Sequence, residues 1–460
     1  MLWLFRFQSN VEHTHYLRSG SCNEKRNPLR TSLKNAEVTI SDPTSPPGVR
    51  ETVEAVIADI RERGDEAVRS YSEKFDKWSP QAFLLSREEI EAAIARLPEQ
   101  TVEDIKTVQR NVERFARLQL QSLTEFEAEV EPGVILGQKN IPIDAVGAYV
   151  PGGRYPLLAS AHMTIVTAKV AGVRRVAAAT PAAGGVIPDA SIAAMHFAGA
   201  DEIYLLGGVQ AVAALAVGTE TIPPVDFLAG PGNAYVAEAK RQLFGEVGID
   251  LFAGPTEVLI LADETADPFL IAVDLLSQAE HGPDSPAILV TTSREVGQQV
   301  LAEIDRQLVG LSTRAVAEVA WRDHGQVIVV ENLKEAYAVA DEFASEHVQI
   351  LTRNPREALD NMFNYGALFL GENTCVSFGD KVIGTNHVLP TRQAARYTGG
   401  LWVGKFIKTV TYQEVTTAAA SAELGELLGR AARAENFEGH ARSGDVRAAR
   451  IGGERPAWAS

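Results

Sequence analysis

Val225-Asp226-Phe227-Leu228-Ala229-Gly230-Pro231-Gly232-Asn233 is the stretch that decides how this chain is built. A short apolar run ends in a Gly-Pro-Gly-Asn turn, and the helical pattern of residues 234–243 follows at once. A strand that leaves through a tight turn into a helix is half of a βαβ unit. Working outward, apolar runs at 146–150, 175–180 and 202–206 alternate with helical stretches at 161–171 and 190–198. That rhythm predicts a doubly wound parallel sheet. A second series at 257–262, 287–291, 327–330, 348–351 and 367–370 repeats it. The echo of Asp226-Phe227-Leu228-Ala229-Gly230-Pro231 in Asp250-Leu251-Phe252-Ala253-Gly254-Pro255 marks two similar strand exits, and two copies do not make a solenoid.

The flanks are helical. Across 48–77, Val53, Val56, Ile57 and Ile60 share one side, Ser86 with Glu89 spells a capping box, and Val102, Ile105, Val108, Val112 and Phe115 recur at spacings of three and four. After Gly400 the pattern is Ala-rich and helical, with Leu424, Leu427 and Leu428 as its few large apolar anchors. Such a tail has no core of its own and must pack on the body or on another subunit. The fold class expected is α/β: two Rossmann-like doubly wound parallel-sheet domains with a helical N-terminal segment and a C-terminal helical tail. No G-x-G-x-x-G fingerprint is present. The expected division is a leader or arm at 1–44, a first α/β domain from 45–148 and 256–400, a second from 149–255, and the tail at 401–460.

Composition narrows the function. The formal charge of −17 leaves no basic excess to neutralise phosphates, which argues against nucleic acid or an anionic membrane as partner. No apolar run approaches the 18 residues of a transmembrane helix. Cys22 and Cys375 are the only cysteines, so neither a disulfide scaffold nor a Cys-based zinc module can form, and a reducing, cytoplasmic location is expected. Residues 1–36 carry Arg6, Arg18, Arg26 and Arg30 and read as an organelle presequence or an unstructured leader; Glu12, Glu24 and the lack of a sustained amphipathic face favour the leader.

Chemistry concentrates in a few places. In Ser277-Gln278-Ala279-Glu280-His281, an amide oxygen and an imidazole three residues apart lie on one helix face and can share a cation, although the same pair also occurs on solvated faces. Ser345-Glu346-His347, Phe378-Gly379-Asp380 and Gly439-His440 add further ligands and acid/base groups. Read singly, Asp380 is a turn carboxylate and His440 a surface residue. Gly230-Pro231-Gly232-Asn233 aims backbone N–H groups and a helix N-terminus at a ligand, which suits an anion, although tight turns also carry Gly for steric reasons.

The segments VGAYVPGGRYPLLASAHM (146–163), LLGGVQAVAALAVGTE (205–220), GPGNAYVAEAKRQ (230–242), AGPTEVLILADE (253–264), DLLSQAEHGPDSPA (274–287), ASEH (344–347) and GTNHVLPT (384–391) resemble, in order and spacing, the histidinol dehydrogenase family. The resemblance runs from about Val53 to His440. It implies a zinc ion held by Gln278 through its carbonyl oxygen, His281, Asp380 and His440. The last of these arrives from the partner in a homodimer with exchanged tails. It implies an acid/base pair, Glu346 and His347, in which His347 accepts the alcohol proton and Glu346 activates water. Thr256, Gln278, His281, His347, Asp380, His387, Glu435 and His440 match substrate positions, and Tyr149, Gln210 and Asn233 match contacts to NAD.

The implied reaction takes L-histidinol through an aldehyde to L-histidine with two NAD. One alternative is a paralogue acting on another polar alcohol, such as a sulfonated propanediol. An alternative of another class is a catalytically silent, zinc-held dimeric scaffold, against which Glu346 and His347 argue. Three departures bear on the substrate. Ala159 and Thr256 stand where histidinol oxidisers usually carry Ser, and Ala159 cannot accept a hydrogen bond from a substrate amino group. Arg154 and Tyr155, with residues 395–402, look more like the relatives that oxidise other polar alcohols. A guanidinium at Arg154 suits a sulfonate or carboxylate.

Overall fold

The computed structural model describes residues 30–37, 48–152, 157–182, 185–251 and 254–459. Arg154 and Tyr155 lie outside these, as do residues 1–29. In chain order the first strands are β1 (Thr31–Lys34), β2 (Phe126–Glu131), β3 (Val134–Pro142), β4 (Ala145–Tyr149) and β5 (Arg175–Thr180). Then come β6 (Glu202–Leu205), β7 (Phe227–Ala229), β8 (Gly248–Ile249), β9 (Val258–Ala262) and β10 (Ala287–Thr291). The last are β11 (Gly325–Val329), β12 (His347–Leu351), β13 (Ala367–Leu370) and β14 (Ile407–Val415).

Two parallel sheets carry the body, as the alternation of strands and helices predicts. One has the order β6-β5-β4-β7-β8. The other runs β1-β11-β10-β9-β12-β13 and is parallel except at β1. Every residue of β9, β10 and β12 is buried, because helices cover both faces of this sheet. That is why these strands read as unbroken apolar runs. A Cβ on Gly230, at φ +114, would strike the Tyr149 carbonyl oxygen, so β7 can leave beside β4 only through glycine.

Several expectations are corrected. Residues 31–34 are an edge strand, β1, paired antiparallel with β11, not unstructured leader; Arg30 beside it pairs with Glu342 at 2.8 Å. The helical run at 48–77 is two helices, Val49–Arg63 and Asp65–Asp76, broken at Gly64 with φ 52. The helices Val49–Arg63 and Glu99–Gln121 pack on helices of the β4–β8 unit, whereas the expected division grouped them with 256–400. Their amphipathic pattern specifies an apolar face but not which sheet it covers. Residues after 400 are not all helical: β14 pairs with β3, and with β2 they form a three-stranded antiparallel sheet. Beyond it, the helices Ala418–Ala434 and Glu438–Ala449 pack chiefly on each other. Leu424, Leu427 and Leu428 are exposed there and belong to no core cluster of the described residues.

Candidate active site

The site forms where loops at the carboxyl ends of the β4–β8 sheet meet the amino ends of β9 and β12. In the parallel register His347 lies opposite Val258, which sets Glu346 and His347 beside Thr256 and Glu257. The approach is close: the helix Leu333–Phe343 ends at Ala344 in the left-handed region (φ 49), and a Cβ on Gly366 would strike the Glu346 carbonyl oxygen. The helix Pro268–Ala279 delivers Gln278, with His281 just beyond its end, and the short helix Val376–Lys381 delivers Asp380. A cavity of about 120 Å³ is lined by Pro231 from the β7 turn together with Thr256, His281, Glu346, His347, Asp380, Lys381 and His387.

A string of buried polar groups runs through it. Gln278 Nε2 donates to Thr256 Oγ1 at 2.5 Å, and Thr256 Oγ1 donates to Glu346 Oε2 at 2.6 Å. The same carboxylate oxygen accepts the Glu257 N–H at 2.9 Å. His347 Nδ1 lies 3.0 Å from the Glu257 carbonyl oxygen. A carbonyl only accepts, so this contact assigns the proton of the neutral ring to Nδ1 and the lone pair to Nε2. Nε2 is buried without a hydrogen-bond partner, 3.1 Å from Asp380 Oδ1 but not aligned to bond it. A buried imidazole nitrogen left in that state is expected to meet something from the cavity.

The charges are tuned by this packing. Burial pushes Glu346 up to about 7, against the pull of His347 and its hydrogen bonds. Burial alone would lower His347, but the Glu346 and Asp380 carboxylates outweigh it and push the imidazole up to about 9, so the ring must release a proton before its Nε2 can act as a base. Burial would raise Asp380 too, yet the His347 contact holds it well below the usual carboxylate range. Burial lowers His387 to about 4, so that ring is neutral.

Gln278, His281 and Asp380 carry donor types that suit a cation. Gln278 uses its amide nitrogen on Thr256, and among the described residues nothing donates to its oxygen. His281 Nε2 stands 3.7 Å from Asp380 Oδ2. An amide oxygen, an imidazole and a carboxylate are the mixed N/O donors of a catalytic zinc site, which takes a further ligand from elsewhere. Among the described residues no group of three or more His, Cys, Asp or Glu side chains is arranged to hold a metal ion. Glu435 and His440 are not brought to the cavity by their own chain: both are exposed on the tail, with the His440 ring 5.3 Å from Phe437.

The three positions matched to NAD gather at the β4–β8 sheet. Tyr149 is buried, and its hydroxyl accepts the Gly208 N–H at 3.0 Å, so the ring belongs to the core and is not free to stack. Gln210 is fully buried and donates to Asp76 Oδ2 at 2.8 Å. The Asn233 side-chain oxygen caps the helix Ala234–Leu243 through the N–H groups of Tyr235 and Val236. The turn is braced from below, since Gly230 N–H donates to Asp250 Oδ2 at 2.8 Å and Lys240 Nζ to the Gly230 carbonyl at 2.9 Å.

Sequence reasoning missed Glu257, Ser160 and Lys381. Burial pushes the Glu257 carboxyl up to about 7, and it accepts the Arg392 N–H at 2.7 Å. Ser160 Oγ lies 3.3 Å from His387 Nε2, so the hydroxyl missing at Ala159 is present one residue later. Adjacency to Thr256 was the available signal for Glu257; the other two had none.

A buried base beside a carboxylate, at the mouth of a parallel sheet, is the equipment of an α/β dehydrogenase. A family model for histidinol dehydrogenase matches residues 42–448. The histidinol dehydrogenase homolog of Shouchella clausii is 58% identical over 404 residues, 88% of this chain and 95% of that protein. The sulfopropanediol 3-dehydrogenase of Ruegeria pomeroyi is 49% identical over 421 residues, 91% of this chain and 96% of that protein. The crystal structure of histidinol dehydrogenase from Elizabethkingia anophelis matches with a TM-score of 0.85 at 35% identity, over 89% of this chain and 94% of that one. The chain belongs to the histidinol dehydrogenase family of NAD-dependent oxidoreductases.

Proposed function

We propose that this protein is a zinc-dependent, NAD-linked dehydrogenase that takes a polar primary alcohol through a retained aldehyde to a carboxylate. The observation that carries the reading is the hydrogen-bonded string from Gln278 through Thr256 to Glu346, with the unpartnered His347 Nε2 beside Asp380. The alcohol loses its proton to His347 Nε2 and a hydride to NAD, giving aldehyde and NADH. Glu346, poised near neutrality, then takes a proton from water as it adds to the aldehyde carbon, and the hydrate gives its hydride to a second NAD and its last acidic proton to solvent, leaving the carboxylate. Gln278, His281 and Asp380 are the residues of this chain that would hold zinc, which supplies a Lewis acid to orient and polarise the substrate oxygen.

The fourth ligand is His440 of a partner subunit in a homodimer. Two features support this: the tail is exposed and packs chiefly on itself, and its His440 is left outside its own chain's cavity. Glu435 arrives on the same tail and contacts substrate with Thr256 and His387. Tyr149, Gln210 and Asn233 form the wall against which NAD lies.

For the substrate, a sulfonated or similarly anionic small alcohol is favoured over L-histidinol. Lys381 is the only Lys or Arg among the described residues of the cavity wall, and it suits an anionic tail. Identity to the sulfopropanediol dehydrogenase is 49%, against 42% to the histidinol dehydrogenases of Gluconobacter oxydans and Geobacillus kaustophilus. His387 and Glu435, kept at their matching positions, speak for histidinol as the second reading. Zinc-loaded protein should form NADH with sulfonated propanediols at a kcat/KM at least about a hundredfold above that for L-histidinol, a margin that pairing the substrate's charge, against leaving it unpaired, can supply. The reverse order would assign the chain to histidinol.

A further inference from the structure

The β6-β5-β4-β7-β8 order means that the chain winds from β4 outward to one side through β5 and β6, then back across to β7 and β8. A dinucleotide lies over the carboxyl ends of such a sheet at the reversal, between β4 and β7, and an acidic side chain near the end of the second strand accepts from the adenosine ribose. The second strand here is β5. It ends in Thr180-Pro181-Ala182 and carries no carboxylate.

A carboxylate reaches that place from outside the sheet. Asp76 is the last residue of the helix Asp65–Asp76, and its Oδ2 would lie 3.2 Å from a Cβ on Gly207, which the same Cβ would bring against Pro181. Pro181 in turn stands 2.8 Å from where a Cβ on Gly152, in the turn after β4, would be. The two glycines thus let Pro181, at the end of β5, pack close between Gly152 and Gly207, and this sets Asp76 beside the ends of β5 and β6. Asp76 Oδ2 holds the buried Gln210 amide at 2.8 Å, and among the described residues nothing donates to Oδ1. Gln210 Oε1 is itself buried without a partner.

We infer that Asp76 selects NAD over NADP: Oδ1 accepts from a ribose hydroxyl of NAD, and the carboxylate charge excludes a 2′-phosphate. This rests on the NAD-linked reading of the same crevice. Asp76 reaches the ribose from the N-terminal helices, so the selecting residue is not on the sheet at all.

The test is fluorescence titration of the full-length protein with NADH and NADPH, without alcohol substrate. Wild type should bind NADH at least about tenfold more tightly than NADPH, the scale of a like-charge penalty. In Asp76→Asn the side-chain oxygen still accepts from Gln210, so the fold and the Gln210 position are kept while the charge is lost. The NADPH-to-NADH affinity ratio should then rise by about tenfold or more. Asp76→Ser, with an unchanged melting profile, should shift it the same way. A ratio that stays within about twofold in both variants, with the two affinities falling in parallel, would reduce Asp76 to a structural partner of Gln210 and overturn the inference. Wild type binding neither dinucleotide would instead fail the NAD-linked reading, and this inference with it.

Discussion

Replacing His347 by Gln is expected to lower alcohol oxidation by about 10²–10⁴-fold, the range that loss of a positioned general base costs. Zinc content should be unchanged, because His347 is outside the proposed ligand set. The Gln side chain can still meet the Glu257 carbonyl, so the 3.0 Å contact of the imidazole Nδ1 has a substitute and the loss reports the missing Nε2 lone pair. Glu346→Gln should act later. Its side chain still accepts from Thr256 and from the Glu257 N–H, which now hold Oε2 at 2.6 and 2.9 Å, but it has no proton affinity for water attack. The first NADH is then formed from alcohol while the second is slowed, so aldehyde accumulates and NADH per alcohol falls from two toward one. Rapid-mixing absorbance at the NADH band with aldehyde trapping separates the two variants. Equal loss of both hydride transfers in Glu346→Gln would contradict the division of labour.

The second large effect concerns the tail. His440→Ala and Gln278→Ala are each expected to lose zinc and nearly all activity, although these residues do not meet within one chain. If the site is completed by a partner, a heterodimer of the two variants holds one intact site and one doubly broken site. Random subunit exchange from an equal mixture should therefore restore about a quarter of wild-type specific activity. Mass spectrometry under native conditions would verify the exchange. No recovery after verified exchange would place the fourth ligand elsewhere. Ahead of its two helices the tail is tied to its own body by β14, which pairs with β3 from Ile407 to Val415.

Much of the fold is legible in the residues, and the reasons are physical. Strands buried on both faces, such as Val258–Ala262 and Ala287–Thr291, can only be apolar runs, and the residues between them must then be helical. The Ser86 capping box forms with both of its hydrogen bonds, since it depends on neighbours within one turn. The antiparallel sheet is a different case. Every residue of Phe126–Glu131 is exposed, and Ile407–Val415 is exposed beyond its first residue, so neither carries the apolar signature of a core strand. Phe126–Glu131 joins Val134–Pro142 as a local hairpin, but Ile407–Val415 pairs with the same strand from the far end of the chain, which no local pattern encodes.

The site divides in the same way. Gln278, His281, Glu346, His347, Asp380 and His387 are found close together, because strand register and helix ends bring separate segments to one level. Glu257 could not be singled out, since its acidity depends on burial and on the Arg392 N–H from far along the chain. Tyr149 is matched to an NAD contact, yet burial and the Gly208 contact make its ring part of the wall. Asp76 lay in a helix with no motif around it, and only the geometry of Gly207 and Pro181 connects it to the crevice.

The most direct test of the account is the stoichiometry of NADH formed per alcohol consumed by zinc-loaded protein, with and without a chelator. Two NADH per alcohol, no free aldehyde, and loss of turnover on chelation that returns with zinc are the results predicted. One NADH per alcohol with released aldehyde, or full turnover without metal, would contradict it.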